Sequence, residues 1–164
     1  MKKYLITPII IMILSCSTNS NNTSEPAIGG IVVGTSALFH LKDTNGNNLI
    51  GTEKYPINGI YGEYLINGKI TTTKDFGSGT NPDNPNILQV RTENNDTYAK
   101  VSVNSAETEE FPITYIHWNA TETDTIKAQI KRMPNGGGIW VEKIWIFKNN
   151  AWVEQLSGEI TFIK

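Results

Sequence analysis

Two histidines, one cysteine and four tryptophans carry most of the chemistry open to this 164-residue chain. His40 and His117 each stand alone, flanked by apolar residues in stretches with strand character. A lone strand histidine is first a packed or surface residue. No His-x-His, His-Glu-x-x-His or Cys-x-x-Cys spacing occurs, so no zinc site is expected. Gly77-Ser78-Gly79 lacks the Gly-x-Ser-x-Gly spacing of a nucleophile elbow. No Gly-Lys-Ser/Thr loop is present to cradle phosphate. The triple glycine Gly136 to Gly138 precedes a strand and reads as a turn, and Glu107, Glu109 and Glu110 read as a solvated acidic loop. Paired carboxylates that meet only in space leave no trace in spacing. The chain is therefore expected to be non-catalytic, with no metal and no cofactor.

Trp118, Trp140, Trp145 and Trp152 are the best candidates for binding, because aromatic faces stack on sugar rings or anchor interfaces. In a sandwich they are also core material. Trp140 and Trp145 are five apart, so strict alternation sends them to opposite faces of one strand. One or two exposed tryptophans at most are expected. Trp140 and Trp152 are the candidate ligand-binding pair, since both lie next to turns, and loops at strand ends build binding surfaces. Asp43-x-Asn45-x-Asn47 resembles the start of an EF-hand loop. That loop also needs Gly at its sixth position and a bidentate Glu at its twelfth. Asn48 and Lys54 stand there instead, which leaves a plain turn.

The elements that must position these residues are strands. Ile31, Val33, Ala37, Phe39 and Leu41 mark one face of the run from Ile31 to Leu41. Ala99, Val101 and Val103 alternate with polar neighbours, as do Ile126, Ala128 and Ile130, and Ile160 and Phe162. "IWVEKIWIFK", Ile139 to Lys148, is rich in β-branched and aromatic residues. Period-two alternation in short runs marks half-buried strands. Asn45-Gly46, Asn58-Gly59, Asn67-Gly68 and Asn135-Gly136 suit the positive φ angles of hairpin turns, and Lys148-Asn149-Asn150-Ala151 reads as another. Thr121 to Met133 admits a helix capped by Thr123 or Asp124, but its alternating isoleucines favour a strand. Asp75 to Asn86, "DFGSGTNPDNPN", is a Gly/Pro/Asn-rich loop, functional or merely mobile. The fold class is all-β: a single immunoglobulin-like or transthyretin-like antiparallel sandwich of about seven to nine strands.

The chain opens "MKKYLITPIIIMILSCSTNSNN". Lys2 and Lys3 precede an apolar run, Tyr4 to Leu14, that is too short to span about 30 Å of hydrocarbon, which takes roughly 20 residues. It reads as a cleaved signal peptide. Ile13-Leu14-Ser15-Cys16 resembles a bacterial lipobox. The resemblance implies cleavage before Cys16, a diacylglycerol thioether on its thiol and acylation of the new amine. Each buried lipid CH₂ contributes about 0.8 kcal/mol, and several chains on one residue give a stable anchor. Residues 1–15 are thus the signal and 16–29 the lipidated cysteine with a tether too polar to fold, reaching roughly 20 Å. Residues 30–164 form the domain, one core's worth of chain. With one cysteine, no intramolecular disulfide can form. Without Lys2 and Lys3 the chain has 12 basic and 16 acidic residues, a net charge of −4. That balance argues against a nucleic-acid partner.

The lipobox, "FHLKDTNGNNLIG" (Phe39 to Gly51), "EYLINGK" (Glu63 to Lys69), "TYIHWNATETDTIKAQI" (Thr114 to Ile130) and "KIWIFKNNAWV" together resemble small lipoproteins of Bacteroidota, of the flavobacterial type. The segment after Asp43 departs from that pattern, with Gly46-Asn47-Asn48-Leu49-Ile50 where Gly-Asn-Asp-Leu-Leu is usual. The resemblance implies a lipid-anchored envelope protein with the bilayer as one partner and carries no known activity. The expected function is a non-catalytic module that binds an envelope protein or other envelope component; the alternative, ranked below it because large aromatics are mostly needed inside a sandwich without disulfides, is a glycan-binding lipoprotein that uses exposed tryptophans. Many surface-displayed lipoproteins of this phylum carry an acidic stretch soon after the cysteine. Ser17 to Ser24 has none, so a periplasm-facing outer-membrane anchor is expected over the cell surface. Asp124-Thr125-Ile126 resembles the O-glycosylation site of this phylum and makes Thr125 a candidate, against an ordinary strand start.

Overall fold

The structure, a computed structural model, describes residues 32–72, 87–134, 137–155 and 158–164. Cys16, the signal and tether, the 75–86 loop and the Asn135-Gly136 turn lie outside the described residues. The described chain is an all-β sandwich of eleven strands: β1 (Val32–Gly34), β2 (Ser36–Lys42), β3 (Tyr61–Ile66), β4 (Lys69–Thr72), β5 (Leu88–Glu93), β6 (Asp96–Ser102), β7 (Ile113–His117), β8 (Thr123–Arg132), β9 (Gly138–Lys148), β10 (Ala151–Gln155) and β11 (Glu159–Ile163). One sheet runs β1-β9-β8-β7-β3-β4, with β10 also paired to β9, and the other runs β11-β2-β6-β5. The register puts β1 on the first residues of β9 and β10 on its last, so the two share one edge of that strand.

Two pairings depart from the antiparallel expectation: β1 runs parallel to β9, and β11 parallel to β2. Both involve strands from the ends of the domain, joined to their partners by no hairpin. The strand count also exceeds seven to nine. The run from Ile31 to Leu41 is one reason: it breaks at Thr35, and its halves join opposite sheets. Thr35 accepts a backbone hydrogen bond from Val103 at the crossing (2.8 Å).

Local chemistry explains most hairpins. Asn67-Gly68 (φ 50° and 73°), Asn94-Asn95 (51° and 65°) and Asn149-Asn150 (52° and 58°) join β3–β4, β5–β6 and β9–β10. Positive φ at both central positions matches the right-handed twist of the flanking strands. Asn58-Gly59 instead belongs to a short 3₁₀ turn, Ile57–Gly59, and makes no hairpin. In the Asp43 turn, Oδ1 accepts N–H bonds from Asn45 and Asn47 (2.8 Å each) and Oδ2 accepts one from the Asn47 side chain (2.8 Å). Those bonds, the Asn47 side chain first, hold the Asp43 carboxyl below its ordinary value. Its oxygens are occupied by its own turn, as a plain turn requires.

The core lies between the sheets. Ala37, Phe39 and Leu41 of β2, Ala99 and Val101 of β6, and Ile160 and Phe162 of β11 face Ile116, Ile126, Ala128, Ile144 and Ile146 of the larger sheet. Trp118, fully buried, meets Phe162 edge-on at 5.7 Å. The stretch from Thr121 to Met133 holds the strand β8, Thr123–Arg132, as its isoleucines require: Ile126 and Ala128 point inward while Lys127 and Gln129 point out.

Candidate functional site

The outer face of the larger sheet carries the densest unburied chemistry. On β8, Lys127 and Lys131 are an even number apart and share that face. Lys127 pairs in register with Trp145 and lies 5.3 Å over its ring; Lys131 pairs with Trp140 and lies 6.0 Å over its ring. Trp140 and Trp145 therefore point the same way, against the expectation from strict alternation. The cause is a register shift at Gln129/Ile130, where β9 carries one extra residue. A bulge of one residue reverses the parity of everything beyond it.

Three rings converge on the Lys127 ammonium: Phe111 at 5.2 Å, Trp145 at 5.3 Å and Trp152 at 4.7 Å. Phe111 meets Trp145 edge-on at 5.6 Å, and Trp152 packs on Phe147 at 5.1 Å. Phe111, Phe147 and Trp152 are exposed by 38%, 43% and 36%, too much for core residues. Trp140 lies on the same face but outside this cluster, four residues along β8 or about 13 Å away. Thr125 is half-buried there, opposite Tyr115.

Phe111 owes its place to the loop before β7. Asn104, fully buried, donates from Nδ2 to the carbonyls of Leu65 (2.7 Å) and Ile113 (3.1 Å) and accepts the Glu107 N–H (3.2 Å). Arg132 donates to the carbonyls of Ser105 and Glu107 (2.9 and 2.8 Å). The Glu107 carboxylate accepts the N–H of Asn67 (2.6 Å) and of Thr108 (2.7 Å). These bonds, Asn67 first, keep its carboxyl below its ordinary value. Glu107 is thus buried and bonded, not solvated as its acidic neighbourhood suggests; Glu109 and Glu110 are exposed. A cleft of 190 Å³ opens beside Phe111, lined also by Leu65, Gly68 and Glu109.

At the other end of the face His117 bridges three strands. Its Nε2 lies 2.9 Å from Glu63 Oε2 and its Nδ1 2.8 Å from Thr123 Oγ1, while Tyr61 stacks on the ring at 4.4 Å, nearly parallel. With Nε2–H donating to the carboxylate, Nδ1 accepts the threonine hydroxyl. The relay pins β3, β7 and β8 in register and extends the aromatic face with polar groups. His40 lies apart, on the outer face of the smaller sheet. It is buried, with Nδ1 3.2 Å from Asp96 and Nε2 3.8 Å from Glu159, neither aligned as a hydrogen bond. It is a packed residue, its ring 5.9 Å from Tyr98. Among the described residues no group of three or more His, Cys, Asp or Glu is placed to hold a metal ion.

Of the two candidate tryptophans, Trp152 joins the cluster and Trp140 sits beside Lys131. Sequence reasoning missed Lys127, Phe111 and Phe147. Lys127 stood in plain view as an outward residue of an alternating strand; Phe111 lies in a loop with no period. No family model, no curated protein and no solved structure matches this chain.

Proposed function

We propose that this chain is a lipid-anchored, non-catalytic binding module of the bacterial envelope that holds a glycan on the aromatic face of its larger sheet. One observation carries the reading: Phe111, Trp145, Phe147 and Trp152 form a partly exposed aromatic platform around one ammonium. Such rings offer C–H-stacking surface to pyranoses at little cost in side-chain entropy. Lys143 and Glu154, paired with each other at 3.3 Å on the same face, border the platform with polar groups. The anchor rests on Ile13-Leu14-Ser15-Cys16, in a chain of the flavobacterial lipoprotein type facing the periplasm from the outer membrane.

Two measurements test this. Oligosaccharide binding is expected to shift tryptophan fluorescence and shield Trp152 from acrylamide. Truncating a central interface tryptophan costs about 2 kcal/mol or more, so Trp145→Ala and Trp152→Ala should each weaken affinity roughly thirty-fold. If no glycan binds and acrylamide quenching never changes, the glycan reading fails and an envelope protein becomes the occupant of the face. For the anchor, the intact mass of membrane-extracted protein should show cleavage before Cys16 plus acyl chains. Cys16→Ser should leave the precursor uncut and unacylated, because no other thiol exists. A mature wild-type mass without lipid would refute it.

A further inference from the structure

We infer that the glycan is anionic and that Lys127 selects it, pairing with a carboxylate or sulfate group seated across the faces of Trp145 and Trp152; this rests on the glycan reading above. The charges on the face differ in how they are satisfied. Lys143 pairs with Glu154 at 3.3 Å, and Lys131 with Glu142 at 3.8 Å. Lys127 has no carboxylate or hydrogen-bond acceptor among the described residues; its only partners are the three rings. It is half-buried, at the centre of the platform.

Aromatic faces attract an ammonium through their quadrupoles. They do not saturate its three N–H donors. The rings therefore hold a cation in place, in a partly desolvated setting, with its donors unspent. An anionic group arriving with a sugar ring takes those donors in hydrogen bonds charged on both sides, which add a Coulomb attraction that a neutral hydroxyl does not offer. The same rings stack the sugar that bears it. The net charge of −4 without the signal lysines works against diffuse capture of polyanions, so affinity for one must come from a local site.

The test uses the mature lipidated protein in detergent micelles, titrated with polygalacturonate, dextran sulfate and neutral dextran while tryptophan fluorescence is read. At least one acidic polymer is expected to bind about tenfold tighter than neutral dextran. Polygalacturonate alone would identify a uronate carboxylate as the group, and dextran sulfate alone a sulfate ester. Lys127→Gln should erase the preference and Lys127→Arg keep it. Lys100→Gln, on the opposite sheet, should change nothing. Neutral dextran binding as tightly as both acidic polymers, with Lys127→Gln silent, would overturn the anionic inference and leave the glycan reading standing. Equal losses from Lys127→Gln and Lys100→Gln would overturn it too, showing diffuse charge. Absence of binding by every polysaccharide defeats both readings.

Discussion

Trp118→Ala is expected to cost about 3–5 kcal/mol of folding free energy, the range for emptying a large aromatic site in a core. With a urea m-value of about 2 kcal/mol/M, the unfolding midpoint should fall by roughly 2 M. Trp118 is fully buried and lies against Phe162, itself stacked on Phe39 at 5.9 Å. Removing the indole thus opens a cavity where the two sheets meet. It also removes a hydrogen bond, since Trp118 Nε1 donates to Asp124 Oδ2 at 2.7 Å. Asp124 is held in turn by Lys164 at 3.0 Å, which ties the C-terminal residue to the start of β8. No disulfide is available to limit the damage. Typical domains have only about 5–15 kcal/mol to lose, so this variant should be close to unfolded at 37 °C. Trp118→Phe separates the causes: it keeps most of the packing and loses the hydrogen bond, at a cost of about 1–3 kcal/mol. A Trp118→Ala midpoint within 0.5 M of the wild type, roughly 1 kcal/mol, would show that the indole is not in the core.

Gly62→Ala should be the second most damaging change, although it adds a single methyl group. Gly62 is buried in β3, where a Cβ would sit 2.5 Å from Ile87 Cγ2, 3.2 Å from Ile87 Cβ and 3.4 Å from Leu88 Cβ. The first distance is well inside contact range, and the second reaches the branch point of Ile87, which cannot swing away. The absence of a side chain at Gly62 lets β3 approach the start of β5 closely. Overpacking of this kind costs about 1–3 kcal/mol. Ile87→Ala alone also destabilises, by leaving a void. In the double variant the new methyl occupies space that Ile87 vacated, so the two losses should not add, with a coupling of about 0.5–3 kcal/mol. Strict additivity in urea melts of the four proteins would rule out the close approach.

The chain's local order was largely legible. Alternation in β6, β8 and β11 predicts which residues face inward, and Ala99, Val101, Ile126, Ala128, Ile160 and Phe162 are all buried. Asn67-Gly68 and Asn149-Asn150 predict their hairpins because asparagine and glycine tolerate positive φ, a property that belongs to the turn positions themselves. The all-β class, the inward face of most strands and two of the hairpin turns were thus determined by the sequence alone, since each depends on interactions between near neighbours.

Tertiary structure decided what depends on distant partners. The run from Ile31 to Leu41 alternates like one strand, yet it divides at Thr35 because β9 accepts one half and β6 and β11 the other. Glu107 looks like a solvated acid until Asn67, forty residues away, donates its N–H. The binding face depends on the same kind of event. Periodicity assigns residues to two faces of a strand, but a single extra residue in β9 moves Trp140 to the side of Trp145, and no local signal marks it. Which face is core depends on where the second sheet lies. That arrangement buries Trp118 and leaves Trp145 and Trp152 outside around Lys127, because the free energy of burial is set by contacts between residues far apart in the chain.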